Sequence, residues 1–131
     1  MNIFAVGIGG FLGAIFRYTI GILISPTNRF PFGTLTINLF GCLFLAWFFT
    51  ITLNRKNINQ NLKLAIGTGF TGAFTTFSTF SVETLNLIKN DQMNLALLYV
   101  LLSVFGGIAL ALFGAKLAGF QFGNQRNGGE R

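Results

Sequence analysis

Four apolar spans fill most of this 131-residue chain, and their length leaves few folds open. They run from about Ile3 to Ile24, Gly33 to Leu53, Leu64 to Ile88 and Leu95 to Ala115. Each holds roughly 20 residues, which as a helix rising about 1.5 Å per residue crosses a hydrocarbon core of about 30 Å. Such stretches are too long for the strands of a membrane barrel. Only 9% of the residues are charged against 52% hydrophobic, too few to clothe a water-soluble surface. The expectation is an all-α membrane protein with four transmembrane helices. It forms one domain over residues 1–122, with a polar, disordered tail over 123–131. The N-terminus lacks the basic start of a secretory signal, so the first span reads as retained.

Short connectors join the spans. Pro26 and Pro31 punctuate Ser25 to Phe32, Asn54 to Lys63 is the most polar loop, and Lys89 to Asn94 closes the third span. Four spans put both termini on one side, together with Arg55, Lys56, Lys63, Lys116, Arg126 and Arg131. The other side carries Arg29 and Lys89. The positive-inside rule therefore leans toward cytoplasmic termini, by a narrow margin. The net charge of +6 lies at span ends and in loops, where it anchors and orients, so nucleic acid is not an expected partner. With no His and one Cys, the chain has no acid–base or nucleophile constellation, and no enzyme is expected. Cys42, beside Gly41, reads as a small buried residue.

One span is unlike the others. Gly69 to Ser81 reads GFTGAFTTFSTFS, with five hydroxyls ahead of Ser81 (Thr71, Thr75, Thr76, Ser78, Thr79) among four phenylalanines and no charge. Hydroxyls facing lipid are costly unless each finds a partner. Gly67, Gly69 and Gly72 weaken helix continuity, and Thr and Ser compete for backbone groups. A membrane segment breaks only where protein covers it or where it lines a cavity. A broken third helix at a functional site is the expectation. Phe77 and Phe80 share a helical face there, as a packing stripe or as a lining. Phenyl rings have electropositive edges, so a small anion can meet ring edges, hydroxyls and an amide without a fixed positive charge to trap it.

Other spans carry polar groups at helical spacing. Thr34, Asn38 and Gly41 or Cys42 share one face of the second span, with Asn38 either joining helices or lining a pore. Tyr99, Ser103 and Gly107 repeat the pattern in the fourth, and Gly107, Ala111 and Ala115 continue it as a small-residue seam. Gly9 and Gly13 form a second contact face. Arg17, inside the first span, needs a partner or a wet pocket. It either snorkels to the nearer interface or pairs with Glu83, which the four-span topology puts on the same side.

GGFLGAIFRY at Gly9 to Tyr18, PFGTLTINLFGC at Pro31 to Cys42 and GFTGAFTTFSTF at Gly69 to Phe80 resemble the CrcB/Fluc fluoride channels. The motifs stand in family order and cover nearly the whole chain. The resemblance implies an antiparallel, dual-topology homodimer of four-helix subunits with two fluoride pores. It also implies passive fluoride export across the inner membrane of a microbe. By the same resemblance Phe77, Phe80 and Asn38 line the pore, Ser78 and Thr79 form a polar track, and Thr34, Tyr99 and Ser103 complete the lining. Gly72 and Thr75 match positions whose main-chain carbonyls hold a structural sodium ion at the dimer centre. Arg17 matches the first-span arginine. The partners implied are fluoride, the lipid bilayer and a second copy. The alternative is a small multidrug-type dimeric exporter, which would need a carboxylate in the first span where this chain has Arg17.

Overall fold

A computed structural model describes residues 3–24, 30–55 and 58–127, with side chains as far as residue 120. Among these residues every regular element is helical. Helix α1 spans Ile3–Leu23, α2 Phe32–Asn54, α3 Gln60–Lys63, α4 Thr71–Phe74, α5 Phe77–Lys89 and α6 Met93–Asn127. A π-helical stretch, Leu64–Phe70, joins α3 to α4. Three helices are long and apolar enough to cross a membrane: Ile3–Leu23, Phe32–Asn54 and the Met93–Phe120 part of α6. The apolar span expected from Leu64 to Ile88 is instead divided among the π stretch, α4 and α5.

Element ends follow local chemistry. Pro31 precedes α2, where a missing N–H costs nothing, and its carbonyl accepts from the Leu35 N–H at 3.2 Å. At the end of α5 the Gln92 N–H reaches the Leu87 carbonyl at 2.9 Å and the Asp91 N–H reaches Ile88 at 3.1 Å. That is the paired closure of a left-handed helix stop, with Asp91 at φ 57°. Helix α6 runs past the Phe122 boundary expected for the domain and ends at Asn127. Residues 128–131 of the expected tail lie outside the described residues, as do Pro26, Arg29 and Lys56.

The helices pair by small residues. Helix α1 packs chiefly on residues 64–74, and α2 chiefly on α6. A Cβ at Gly9 would run into the Ala65 carbonyl, and one at Gly13 into that of Phe70, so the expected face does bring backbones together. Gly69 answers from the other side, against the Val6 carbonyl and the Gly10 nitrogen. Along α6 the contacts fall at Gly107, against Cys42, and at Gly114, against the Leu43 carbonyl. Gly107 belonged to the expected seam, whereas Gly114 takes the close backbone contact one residue from Ala115. Rings fill the space between the pairs: Phe70 lies 5.7 Å from Phe74, stacked, and 5.8 Å from Phe44 and from Phe16, edge-on.

Candidate functional site

Helix α4 stops at Phe74 because Thr75 and Thr76 are extended, with ψ of 156° and 117°. Two extended residues in apolar surroundings leave backbone groups that must find partners. Asn38, from α2, supplies them. The Thr76 N–H donates to Asn38 Oδ1 at 2.9 Å, and Asn38 Nδ2 donates to the Thr76 carbonyl at 3.0 Å. A planar amide engaging both groups of one extended residue does what a neighbouring strand would do. The second Nδ2 hydrogen remains for another acceptor.

Thr76 then starts α5. Its Oγ1 accepts from the Thr79 N–H at 3.2 Å, a helix cap, and donates to Thr79 Oγ1 at 3.0 Å. Ser78 Oγ lies 3.3 Å away, with its side chain on the exposed surface. Hydroxyls further along bond carbonyls four residues back: Ser81 to Phe77 at 2.9 Å, Thr84 to Phe80 at 2.8 Å.

Thr76 borders two cavities. One, of about 360 Å³, is lined by Asn38, Thr75, Phe77, Phe80 and Ser103 among others, and by Cys42, which is only half-buried. Within it the Phe77 and Phe80 rings are 5.9 Å apart, and the buried Ser103 hydroxyl has no hydrogen-bond partner among the described residues. The other, of about 470 Å³, is lined by Arg17, Thr34, Thr79 and Glu83. Of the residues read as one lining, Asn38, Phe77, Phe80 and Ser103 thus border the first cavity, Thr34 and Thr79 the second, and Ser78 neither. Tyr99 joins the two linings. Fully buried, it lies 5.0 Å from the Phe80 ring and donates its hydroxyl to Glu83 Oε2 at 2.8 Å. Thr34 donates to the other carboxylate oxygen at 2.9 Å.

Arg17 and Glu83 do share a cavity, yet among the described residues no ion pair joins them. Both Glu83 oxygens are engaged by Thr34 and Tyr99, and α1 packs upstream of Glu83, on residues 64–74. Arg17 lies on the wall of this cavity.

The interruption also releases carbonyls. In a continuous helix the Thr76 N–H would close on Gly72 and the Thr79 N–H on Thr75. Here the first goes to Asn38 and the second to Thr76 Oγ1. Gly72 is exposed, with open space where a Cβ would point. Among the described residues no group of three or more His, Cys, Asp and Glu side chains can hold a metal. A hard cation here would meet main-chain oxygens, which suit it.

The family model for CrcB-like protein, Camphor Resistance (CrcB), matches residues 4–115. The chain belongs to this family. It is 46% identical over 117 residues to a protein of Oceanobacillus iheyensis named fluoride-specific ion channel FluC, covering 89% of this chain and 91% of the relative. A Bacillus cereus protein named fluoride-specific ion channel FluC 1 is 46% identical over 117 residues, 88% of this chain and 85% of its own. One of Desulfitobacterium hafniense, with the same name, is 46% identical over 106 residues, 81% and 93%.

Two residues of the site carried no site reading from the sequence. Thr76 is the junction of clamp, cap and both cavities, and its signal was local: a threonine ahead of an apolar helical run, three residues before Thr79. Thr71, 3% exposed, lines the first cavity and had only its place in the hydroxyl row to mark it.

Proposed function

We propose that the protein is a fluoride-selective channel giving passive fluoride export that lowers cytoplasmic fluoride. It is a multi-pass protein of the inner membrane of a microbe, and a channel, not an enzyme. The observation that carries the reading is the first cavity. It offers weak, oriented donors and no fixed positive charge: the unpartnered Ser103 hydroxyl, the spare Asn38 amide hydrogen and the rings of Phe77 and Phe80. A small anion that surrenders strong hydration needs several such contacts, and none strong enough to hold it. Relatives at 46% identity named as fluoride-specific channels support the choice of ion. The first-span carboxylate that a multidrug-type exporter would need is absent, Arg17 standing in that span, and Glu83 in α5 is held by two hydroxyls.

The working unit is an antiparallel, dual-topology homodimer of four-span subunits with a broken third helix and two pores. Phe77 borders the cavity while 80% exposed in one chain, and a second copy supplies the missing wall. A structural sodium ion sits on the carbonyls of Gly72 and Thr75. When bound it supplies positive charge to main-chain oxygens that lack helical donors, and it is not transported. Efflux from liposomes holding the purified protein tests the function, read with fluoride and chloride electrodes. Fluoride should leave far faster than chloride, and complete sodium removal should abolish the flux. Equal rates for the two anions would reject a fluoride channel.

A further inference from the structure

Helical order upstream of the interruption is pinned at two places. On one side the α1 backbone meets Ala65 and Gly69 through Gly9, Val6 and Gly10, so no side chain separates the chains and sliding is blocked. On the other, Asn38 holds Thr76 by both backbone groups. The first pin falls within the π-helical stretch Leu64–Phe70, whose wider turns accommodate an additional residue relative to an α-helix, and the second lies downstream of it. Thr71 closes this stretch. Its backbone N–H donates to the Ile66 carbonyl, five residues back, and its Oγ1 donates to the same oxygen at 3.0 Å. Its own carbonyl then accepts from both the N–H and the Oγ1 of Thr75, at 3.0 and 2.9 Å.

We propose that Thr71 is a positioning residue: its two bonds to Ile66 hold the π register, and that register presents the Gly72 and Thr75 carbonyls to the cation. The cation part rests on the reading above. Without the hydroxyl bond the Thr71 N–H can fall back to the Gly67 carbonyl, the ordinary partner four residues away. One residue of register turns a helix by about 100° and advances it about 1.5 Å. Gly72 and Thr75 would then leave their places, or the Asn38 clamp would break.

Thr71→Val keeps the shape and removes the donor, and Thr71→Ser keeps the donor. Chains labelled with carbonyl-¹³C isoleucine and ¹⁵N glycine give three adjacent Ile–Gly signals (Ile8, Ile20 and Ile66) in solid-state NMR of the membrane-embedded protein. With Val the Ile66 carbonyl should move upfield while the other two stay, and with Ser all three should match the wild type. The sodium concentration for half-maximal fluoride efflux should rise about tenfold with Val, the size of one lost hydrogen bond, and recover with Ser. An unmoved Ile66 carbonyl would overturn the proposal. So would a moved carbonyl with wild-type sodium dependence, which would make Thr71 merely structural. A wild type whose flux ignores sodium would sink the cation reading alone, since the carbonyl shift still decides the register. If the Val variant fails to assemble, deleting the exposed Thr68 in it should restore assembly, by removing the residue the π turns accommodate. Failure of that rescue also overturns the proposal.

Discussion

Asn38 carries two duties that a single alanine substitution cannot separate. Its amide closes on Thr76 from both sides, and both backbone groups are left without partners when it is cut away. Leaving a buried donor and acceptor unmade costs about 1–3 kcal/mol each, so Asn38→Ala should lose stability as well as flux. Phe80 separates the questions better, because its ring lies beside Phe77 and Tyr99 and makes no hydrogen bond. Isoleucine there keeps most of the apolar volume and removes the electropositive edge, while methionine keeps a polarizable group. Phe80→Ile should cut fluoride efflux by tenfold or more, with Phe80→Met milder. Each lost ring contact accounts for only about 0.5–1.5 kcal/mol, so both variants should still elute as folded protein from size exclusion. Wild-type efflux from folded Phe80→Ile would assign these rings to packing.

At the scale of elements, glycines separate tight helix contacts from open backbone. A Cβ on Gly69 would meet the Val6 carbonyl and the Gly10 nitrogen, and neither is the movable end of a side chain. Gly69→Ala should therefore cost about 1–3 kcal/mol through overpacking. Gly72→Ala finds open space within the chain and should lower stability by less than about 0.5 kcal/mol as isolated subunits. Thermal melts in detergent, followed by fluorescence of the single tryptophan, Trp47, compare the two, and equal melting points would refute the backbone contact. Much of this architecture was legible in the residues. Hydropathy located α1, α2 and the start of α6 to within two residues, since any apolar run of that length must close its own backbone bonds in lipid. The hydroxyl row around Thr75 and Thr76 lies where α4 ends and α5 begins. The π stretch left no mark, because a wide turn depends on contacts with α1 and on the Thr71 bonds to Ile66 that only the packed fold shows. The Asn38 clamp was equally invisible: its spacing with Thr34 fixed a face of α2, but only the packed fold reveals that Thr76 lies opposite. The Thr34–Glu83–Tyr99 cluster shows the same limit, since hydroxyls from α2 and α6 hold the carboxylate for which charge alone had suggested the arginine.

At the scale of the whole molecule, charge and shape pull differently. The basic residues favour one orientation by a narrow margin, while the exposed Phe77 and the open Gly72 leave the interruption incomplete in one copy. Covering it with an antiparallel partner, as proposed, would bring the same residues of two chains together about a two-fold axis in the membrane plane, and each cavity would gain a wall. Such a dimer needs copies inserted both ways, so the charge bias must be too weak to decide orientation. Asn90, exposed in the turn between α5 and α6, offers a reporter in a Cys42→Ser background free of other thiols. With Asn90→Cys, a membrane-impermeant maleimide added to intact cells should label about half of the copies, and permeabilisation should expose the rest. A second reporter, Asn54→Cys at the end of α2, should give the same proportion from either side. If Asn90 labels fully from one side and Asn54 correspondingly from one side only, insertion is single and the pores must close by another symmetry. Equal labelling at both sites, in a sample whose fluoride efflux matches the wild type, leaves the antiparallel dimer as the assembly that conducts.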